Sequence, residues 1–296
     1  MYYVLCNPLS ANKKGEQLAH NLEGKLPGEE LKFIDIRTVE DYSSFWKTID
    51  LEKDNVILAG GDGTLNRFIN ANENEELPAN LYYYAAGSGN DFRKDVSPDS
   101  DDLIPLHKYI KDLPTVTVNG QTYRFINGIG FGIDGYCCEV GDELKKKSDK
   151  PVNYTAIAIK GLLFYFKPAN AKVTIDGKTF EYKKAWIAPT MKGRYYGGGM
   201  NVTPSQDRFD PEGKVSVGMF YGKGKIKTLL VFPKLFQGEH VKHTDMVDIR
   251  SGHDVTVEFD RPCALQVDGE TILNVTSYHV TTGKKASVKE NASIAD

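Results

Sequence analysis

Residues 56–59 are Val-Ile-Leu-Ala, an unbroken apolar run that ends at Gly60-Gly61-Asp62-Gly63-Thr64 and gives way to the helix-compatible Leu65-Asn66-Arg67-Phe68-Ile69-Asn70. A short apolar run bounded by glycine predicts a strand buried on both faces. The same texture fills the first third of the chain. Strands are predicted over residues 2–7, 31–38, 55–59 and 81–86, and helical segments over 12–26, 39–49 and from 65 onward. Strand–helix alternation of this kind predicts a parallel α/β sheet with ligand loops at the C-terminal ends of its strands.

From about Pro114 the period shortens to two. Residues 115–126 read as a hairpin around Asn119-Gly120, and 172–182 as a second around Asp176-Gly177, because Asn-Gly and Asp-Gly suit the tight turns that join antiparallel strands. Residues 214–221, 254–259, 263–267 and 278–281 continue the alternation, interrupted by helical segments at 153–166 and 225–236. The prediction is an α/β N-terminal domain over residues 1–114, followed over 115–296 by a mainly β, sandwich-like domain with a few helices. The extreme C-terminus either returns to the first domain or frays, since residues 289–296 are polar.

Composition adds limits. With 296 residues, 40% hydrophobic and 26% charged, the chain is an ordinary globular protein long enough for two domains. A net charge of −3 gives no electrostatic case for nucleic acid. No apolar run approaches the ~20 residues that span a bilayer, and the N-terminal Met1-Tyr2-Tyr3-Val4-Leu5-Cys6 has no basic region of the kind that opens a signal peptide. Cys6, Cys137, Cys138 and Cys263 show no C-x-x-C spacing, so reduced thiols and a cytoplasmic location are expected.

The glycine-rich turn at residues 60–64 is where chemistry is expected. A strand entering a helix through glycines exposes backbone N–H groups, and the helix N-terminus adds partial positive charge, which together suit a phosphate. Asp62 would repel that phosphate unless a cation lay between them, which points to Mg²⁺ with a nucleotide. No Lys follows Gly63, against a Walker A loop, and Asn66 stands where a dinucleotide-binding turn needs its third glycine. A backbone-driven tight turn explains one glycine; it does not explain three around an acid and a hydroxyl.

The GGDGT sequence resembles the signature of the diacylglycerol-kinase catalytic superfamily, which takes in bacterial lipid kinases, sphingosine and ceramide kinases, 6-phosphofructokinases and NAD kinases. Gly87-Ser88-Gly89-Asn90-Asp91-Phe92 resembles its second nucleotide loop, with Ser88 keeping the hydroxyl of the usual Thr and Arg93 replacing Ala. Gln266-Val267-Asp268-Gly269-Glu270 resembles its Asp-Gly-Glu motif, though the same residues read alone as a hairpin turn. Asn7-Pro8-Leu9-Ser10 resembles the turn that borders the nucleotide, with Ala11-Asn12 where glycine is usual. Asn127 to Asp134 and Arg194 to Met200 resemble glycine-rich segments of the second domain.

What the resemblance implies is a phosphofructokinase/NAD-kinase-like first domain and a lipid kinase using ATP and Mg²⁺, with diacylglycerol as the acceptor. Asn7, Pro8, Ser10, Thr38, Gly60, Gly61, Asp62, Gly63, Thr64, Asn66, Gly87, Ser88, Gly89, Asn90 and Asp91 would border the nucleotide, and Asp62 would meet its Mg²⁺. Glu270 or Asp268 would take the proton of the acceptor hydroxyl; residues i and i+2 of a strand face one side, and the resemblance favours Glu270, with Asp268 orienting it or the turn. Glu212 stands where relatives hold a structural Mg²⁺ with Asp, and an ordinary proline-containing turn is the alternative there. The partner implied is a lipid at a membrane surface, met by peripheral contact, with Lys145–Lys147 and Lys223, Lys225 and Lys227 as solvated faces or lipid contacts; a homodimer is compatible. His240 and His243 are read as solvated, with a packing or substrate role for their loop as the alternative. Rival functions are an NAD-kinase-like or sphingoid-base kinase and a non-catalytic nucleotide-binding regulator.

Overall fold

The computed structural model describes residues 1–148 and 152–283. In the first part, β1 (Tyr2–Cys6), β2 (Leu31–Asp35), β3 (Asn55–Gly60), β4 (Asn80–Ala85) and β5 (Ile104–Pro105) form one sheet in the order β2-β1-β3-β4-β5, with only β5 antiparallel. Its apolar strands are covered on both faces. Leu5, Val56, Leu58 and Tyr83 pack to one side, and Val4, Cys6, Ile57 and Ala59 to the other, as the alternation of side chains along a strand requires. Helix α1 (Asp62–Ala71) follows β3, and α2 (Asp91–Val96) follows β4.

The second sheet has ten strands. They are β6 (Thr115–Val118), β7 (Gln121–Arg124), β8 (Gly128–Phe131), β9 (Ala169–Ile175), β10 (Lys178–Ala185), β11 (Thr190–Met191), β14 (Val215–Phe220), β15 (Val247–Gly252), β16 (Asp254–Val267) and β17 (Glu270–Thr281); β12 (Tyr195–Tyr196) and β13 (Met200–Asn201) pair apart from it. β16 is the axis. It pairs β17 along its length, β9 at its start and β8 at its end. The sheet encloses Phe131, Val257, Leu265, Tyr278 and Val280, with Phe131 and Phe259 stacked at 3.8 Å. Burying such side chains is worth about 1.5–3 kcal/mol each. A second apolar layer lies under α3 (Ile133–Lys147), α4 (Tyr154–Lys160) and α5 (Lys225–Val231), around Trp186, Leu162 and Phe232.

The α/β sheet and the sandwich-like second sheet are the architecture the periodicity predicts. Local readings fared less evenly. The predicted helix over 12–26 is broken into short pieces, because Ala11, Asn12 and Lys13 all take positive φ and Gly15 lies where a Cβ would sit 2.0 Å from the Asn7 carbonyl oxygen. Segments 254–259 and 263–267 are one strand, bent by bulges. Helix α3 was hidden by Gly135 and Gly141, which lower helix propensity; each is a contact point where a side chain would meet Ala264 or Tyr154. The predicted fraying or return of residues 289–296 lies outside the described residues.

Candidate active site

β1, β3 and β4 end side by side, and the loops singled out in sequence meet there. The Asn7 amide donates to Thr64 Oγ1 at 2.9 Å, and its Oδ1 accepts the Leu9 N–H at 3.1 Å across Pro8. Ser10 Oγ donates to the Ala86 carbonyl at 2.8 Å, tying the first turn to the loop after β4. A Cβ at Gly60 would lie 2.6 Å from Thr64 Cβ, and one at Gly87 2.3 Å from Gly61 Cα. The two glycine loops therefore touch backbone to backbone, which any side chain would prevent. Asn90, at φ +53°, closes its loop by bonding Gly87 N and O at 3.0 and 2.9 Å. Ser88 and Gly89 are left exposed. The N-cap residue of α1 is Gly61, which has no side chain to cap the helix, so its first-turn N–H groups are suited to an anion. Thr38 stands one strand further out, its hydroxyl bonded at 2.8 Å to the Asp35 carbonyl of its own turn.

Asp62 has a duty the sequence did not show. Its carboxylate accepts the N–H groups of Asp91 and Phe92, both at 2.9 Å, and the Asn127 side-chain amide at 3.0 Å. It thus caps α2 and ties both glycine loops to the second sheet. Asp91 is buried; one oxygen accepts the Gly198 N–H at 2.8 Å and the other has no partner among the described residues. Burial, then the Asp62 charge, push its carboxyl up to about 7. A buried, under-satisfied carboxylate beside a second one fits a cation.

Asp268 and Glu270 separate sharply. Asp268 Oδ1 accepts Asn127 and Gly128 N–H at 2.8 and 2.9 Å, and Oδ2 accepts Ile126 N–H and the Asn66 amide at 2.7 and 2.8 Å. Two donors fill each oxygen, which ties the Asp268 carboxylate into the frame of the turn and suits it to orient that turn rather than to move a proton. Burial pushes its carboxyl up to about 6, against those donors. The shared-side reading failed because Asp268 and Gly269 have φ +46° and +95° and form the turn between β16 and β17 rather than extended strand. Asn66 belongs to the same network: its amide donates to Asp268 at 2.8 Å and to the Arg124 carbonyl at 3.0 Å. Glu270 is 44% exposed and pairs with Arg67 at 3.0 Å. A Cβ at Gly63 would lie 2.9 Å from its Oε1, so the glycine admits this carboxylate over the first turn of α1.

Glu212 pairs with Lys214, and its N–H donates to Asp210 Oδ1 at 3.0 Å. Among the described residues no group of three His, Cys, Asp or Glu side chains could hold an ion. His240 is buried rather than solvated, with Nε2 2.9 Å from the Val202 carbonyl oxygen. Asp134 lies buried against Gly130, and burial pushes it up to about 6.

Sequence reasoning missed the network that joins the two sheets. Arg208 donates to Asp95, to the Ile126 carbonyl at 2.5 Å and to Asn127 Oδ1 at 2.6 Å; Arg194 donates to the other Asp95 oxygen at 2.6 Å. These partners lie far apart in the chain, and no spacing signals them.

Residues 1–118 match the diacylglycerol kinase catalytic domain, and residues 127–283 match the YegS C-terminal NAD kinase beta sandwich-like domain. A diacylglycerol kinase of Mycobacterium tuberculosis H37Rv is 22% identical over 284 residues, covering 90% of each chain. One from Bacillus subtilis 168 is 24% identical over 231 residues, covering 74% of this chain and 72% of its own. A solved structure of a diacylglycerol kinase from Bacillus anthracis Sterne shares the fold, with TM-score 0.57 at 16% identity over 96% of this chain and 94% of that one. With one matched domain on each sheet and the shared motifs meeting at their junction, the chain belongs to the bacterial diacylglycerol kinase family of lipid kinases, which are phosphotransferases.

Proposed function

We propose that the protein transfers the γ-phosphate of ATP, with Mg²⁺, to the free hydroxyl of a diacylglycerol, giving phosphatidic acid. The observation that carries this reading is the exposed Glu270 carboxylate poised beside the uncapped N-terminus of α1. Phosphates would lie on the glycine backbones and the first-turn N–H groups of α1. Asp91 and Asp62 would help hold Mg²⁺, an ion usually bound by one or two carboxylates together with substrate phosphates. Bound there, the metal would neutralise charge on the phosphate oxygens. Glu270 accepts the hydroxyl proton as the lipid oxygen attacks the γ-phosphorus; the new P–O bond forms as the bond to ADP breaks, and the proton passes to water. Arg67, 3.0 Å away, aims the resting carboxylate.

ATP consumption with diacylglycerol in mixed micelles, sphingosine, NAD or no acceptor tests this. The expected result is ADP and phosphatidic acid with diacylglycerol alone. Turnover with sphingosine or NAD in its place would overturn the choice of acceptor, and ATP binding without turnover would favour a regulator.

A further inference from the structure

Large apolar side chains stand in water on one ridge of the second sheet's helical layer. Ile226 and Leu230 of α5 are 77% and 70% exposed, and Phe164 and Tyr165, in the turn that ends α4, are 70% and 68% exposed. Ile226 and Leu230 are four apart and share a helix face, while Thr228 and Val231 of the same helix are buried. The two segments are joined: Lys225 Nζ donates to the Leu163 carbonyl at 2.8 Å. Segments 159–167 and 223–230 carry Lys160, Lys167, Lys223, Lys225 and Lys227 and no acid. The acid that meets them is Asp245, paired with Lys223 at 3.2 Å and with Lys227.

We propose that this ridge docks the protein on an anionic phospholipid bilayer, with the aromatic and aliphatic tips entering the headgroup–acyl boundary and the lysines facing lipid phosphates. Apolar tips framed by lysine are what an anionic interface recognises; a purely apolar patch would suit protein contact as well. Helix α3 links the ridge to the strand that carries Glu270. Gly161 packs against Ile133 and Tyr136 of α3, where a Cβ would lie 2.9 and 2.7 Å from their side chains. Further along α3, Asp142 accepts the hydroxyl of Thr271, the residue after Glu270, at 2.7 Å. The delivery of a lipid hydroxyl to Glu270 rests on the kinase reading above; the docking itself does not.

The test is sedimentation of the full chain with vesicles of phosphatidylcholine alone or mixed equally with phosphatidylglycerol. Wild type should pellet with the mixed vesicles, less so as salt shortens the ~10 Å screening length at 0.1 M. Combining F164S, Y165S, I226S and L230S should lower partitioning on the order of 100-fold. Initial rates on a short-chain diacylglycerol below its micellar threshold should stay unchanged, which shows that the variant is folded. K160Q with K167Q should remove a salt-sensitive factor of about 5 per lysine. Vesicle binding by the quadruple variant equal to wild type overturns the proposal, as does a wild type that ignores vesicles but forms a dimer dissolved by the same substitutions. If vesicle binding depends on the ridge while no diacylglycerol is phosphorylated, the kinase reading fails and the docking stands. Short-chain turnover with ridge-independent binding means that the docking fails and the kinase reading stands.

Discussion

The two sides of the junction between the sheets make their chemistry in opposite ways. On the first-sheet side, Gly61 and Gly87 meet backbone to backbone, and what faces a ligand is main-chain N–H and the uncapped end of α1. On the second-sheet side the group proposed to work is a side chain, Glu270, carried by a turn whose Asp268 is sealed under four donors. Phosphate recognition asks for many fixed dipoles, which closely packed glycine loops provide. Taking a proton from a hydroxyl asks for one movable, solvent-reachable base, and a rigid neighbour makes its aim reproducible. Two carboxylates two residues apart thus have different fates because one lies inside the turn and one begins the next strand.

If that contrast is correct, its strongest consequence is at Glu270. Glu270→Gln should lower kcat by about 10²–10⁴ and leave ATP affinity nearly unchanged, read by single-turnover kinetics beside equilibrium nucleotide binding. A variant with weakened ATP binding and an intact transfer rate would place Glu270 on the nucleotide side and erase the contrast. Asp268→Asn should act on the frame. It sets an amide NH₂ against donors already aimed at the carboxylate, and should cost about 2–3 kcal/mol. A urea midpoint unmoved by the substitution would show that the four donors are not holding the turn.

The smallest effect sharpens the first-sheet side. Asp91 takes a proton more readily in the folded protein, at about 7, than in the unfolded chain, at the ordinary 3.8. Its stabilising contribution is therefore full below about pH 4 and lost as pH rises through about 7. Asp91→Asn should remove that dependence, giving the variant a higher melting temperature than wild type at pH 8 and a margin that shrinks towards pH 5. Melting curves of both proteins across this range check it; an advantage that grows on acidification would refute the burial argument.

What the sequence made legible was what is local. The run at 56–59 announced β3, and the pairs Asn119-Gly120, Asp176-Gly177 and Asp268-Gly269 announced turns in which both residues have positive φ. The glycine loops showed themselves because phosphate-binding turns are contiguous. Asn66 and Asp268 are 202 residues apart, and Asp95 and Arg208 are 113 apart; no periodicity links such positions. Helix α3 escaped because its glycines serve close packing, a tertiary reason that overrides local propensity.

Asn127 holds a position whose implication is cooperative. Its main-chain N–H goes to Asp268, its carbonyl receives Lys192 and Gly193, and its side chain gives to Asp62 and receives from Arg208. Every polar group of one residue is engaged at once, by partners from both sheets. Loosening either sheet strips bonds from this residue and so weakens the other, which makes it a thermodynamic coupler. The two halves are then expected to melt as one unit, and the proposed phosphoryl-transfer site, drawn from both, would be present only when the whole chain is folded.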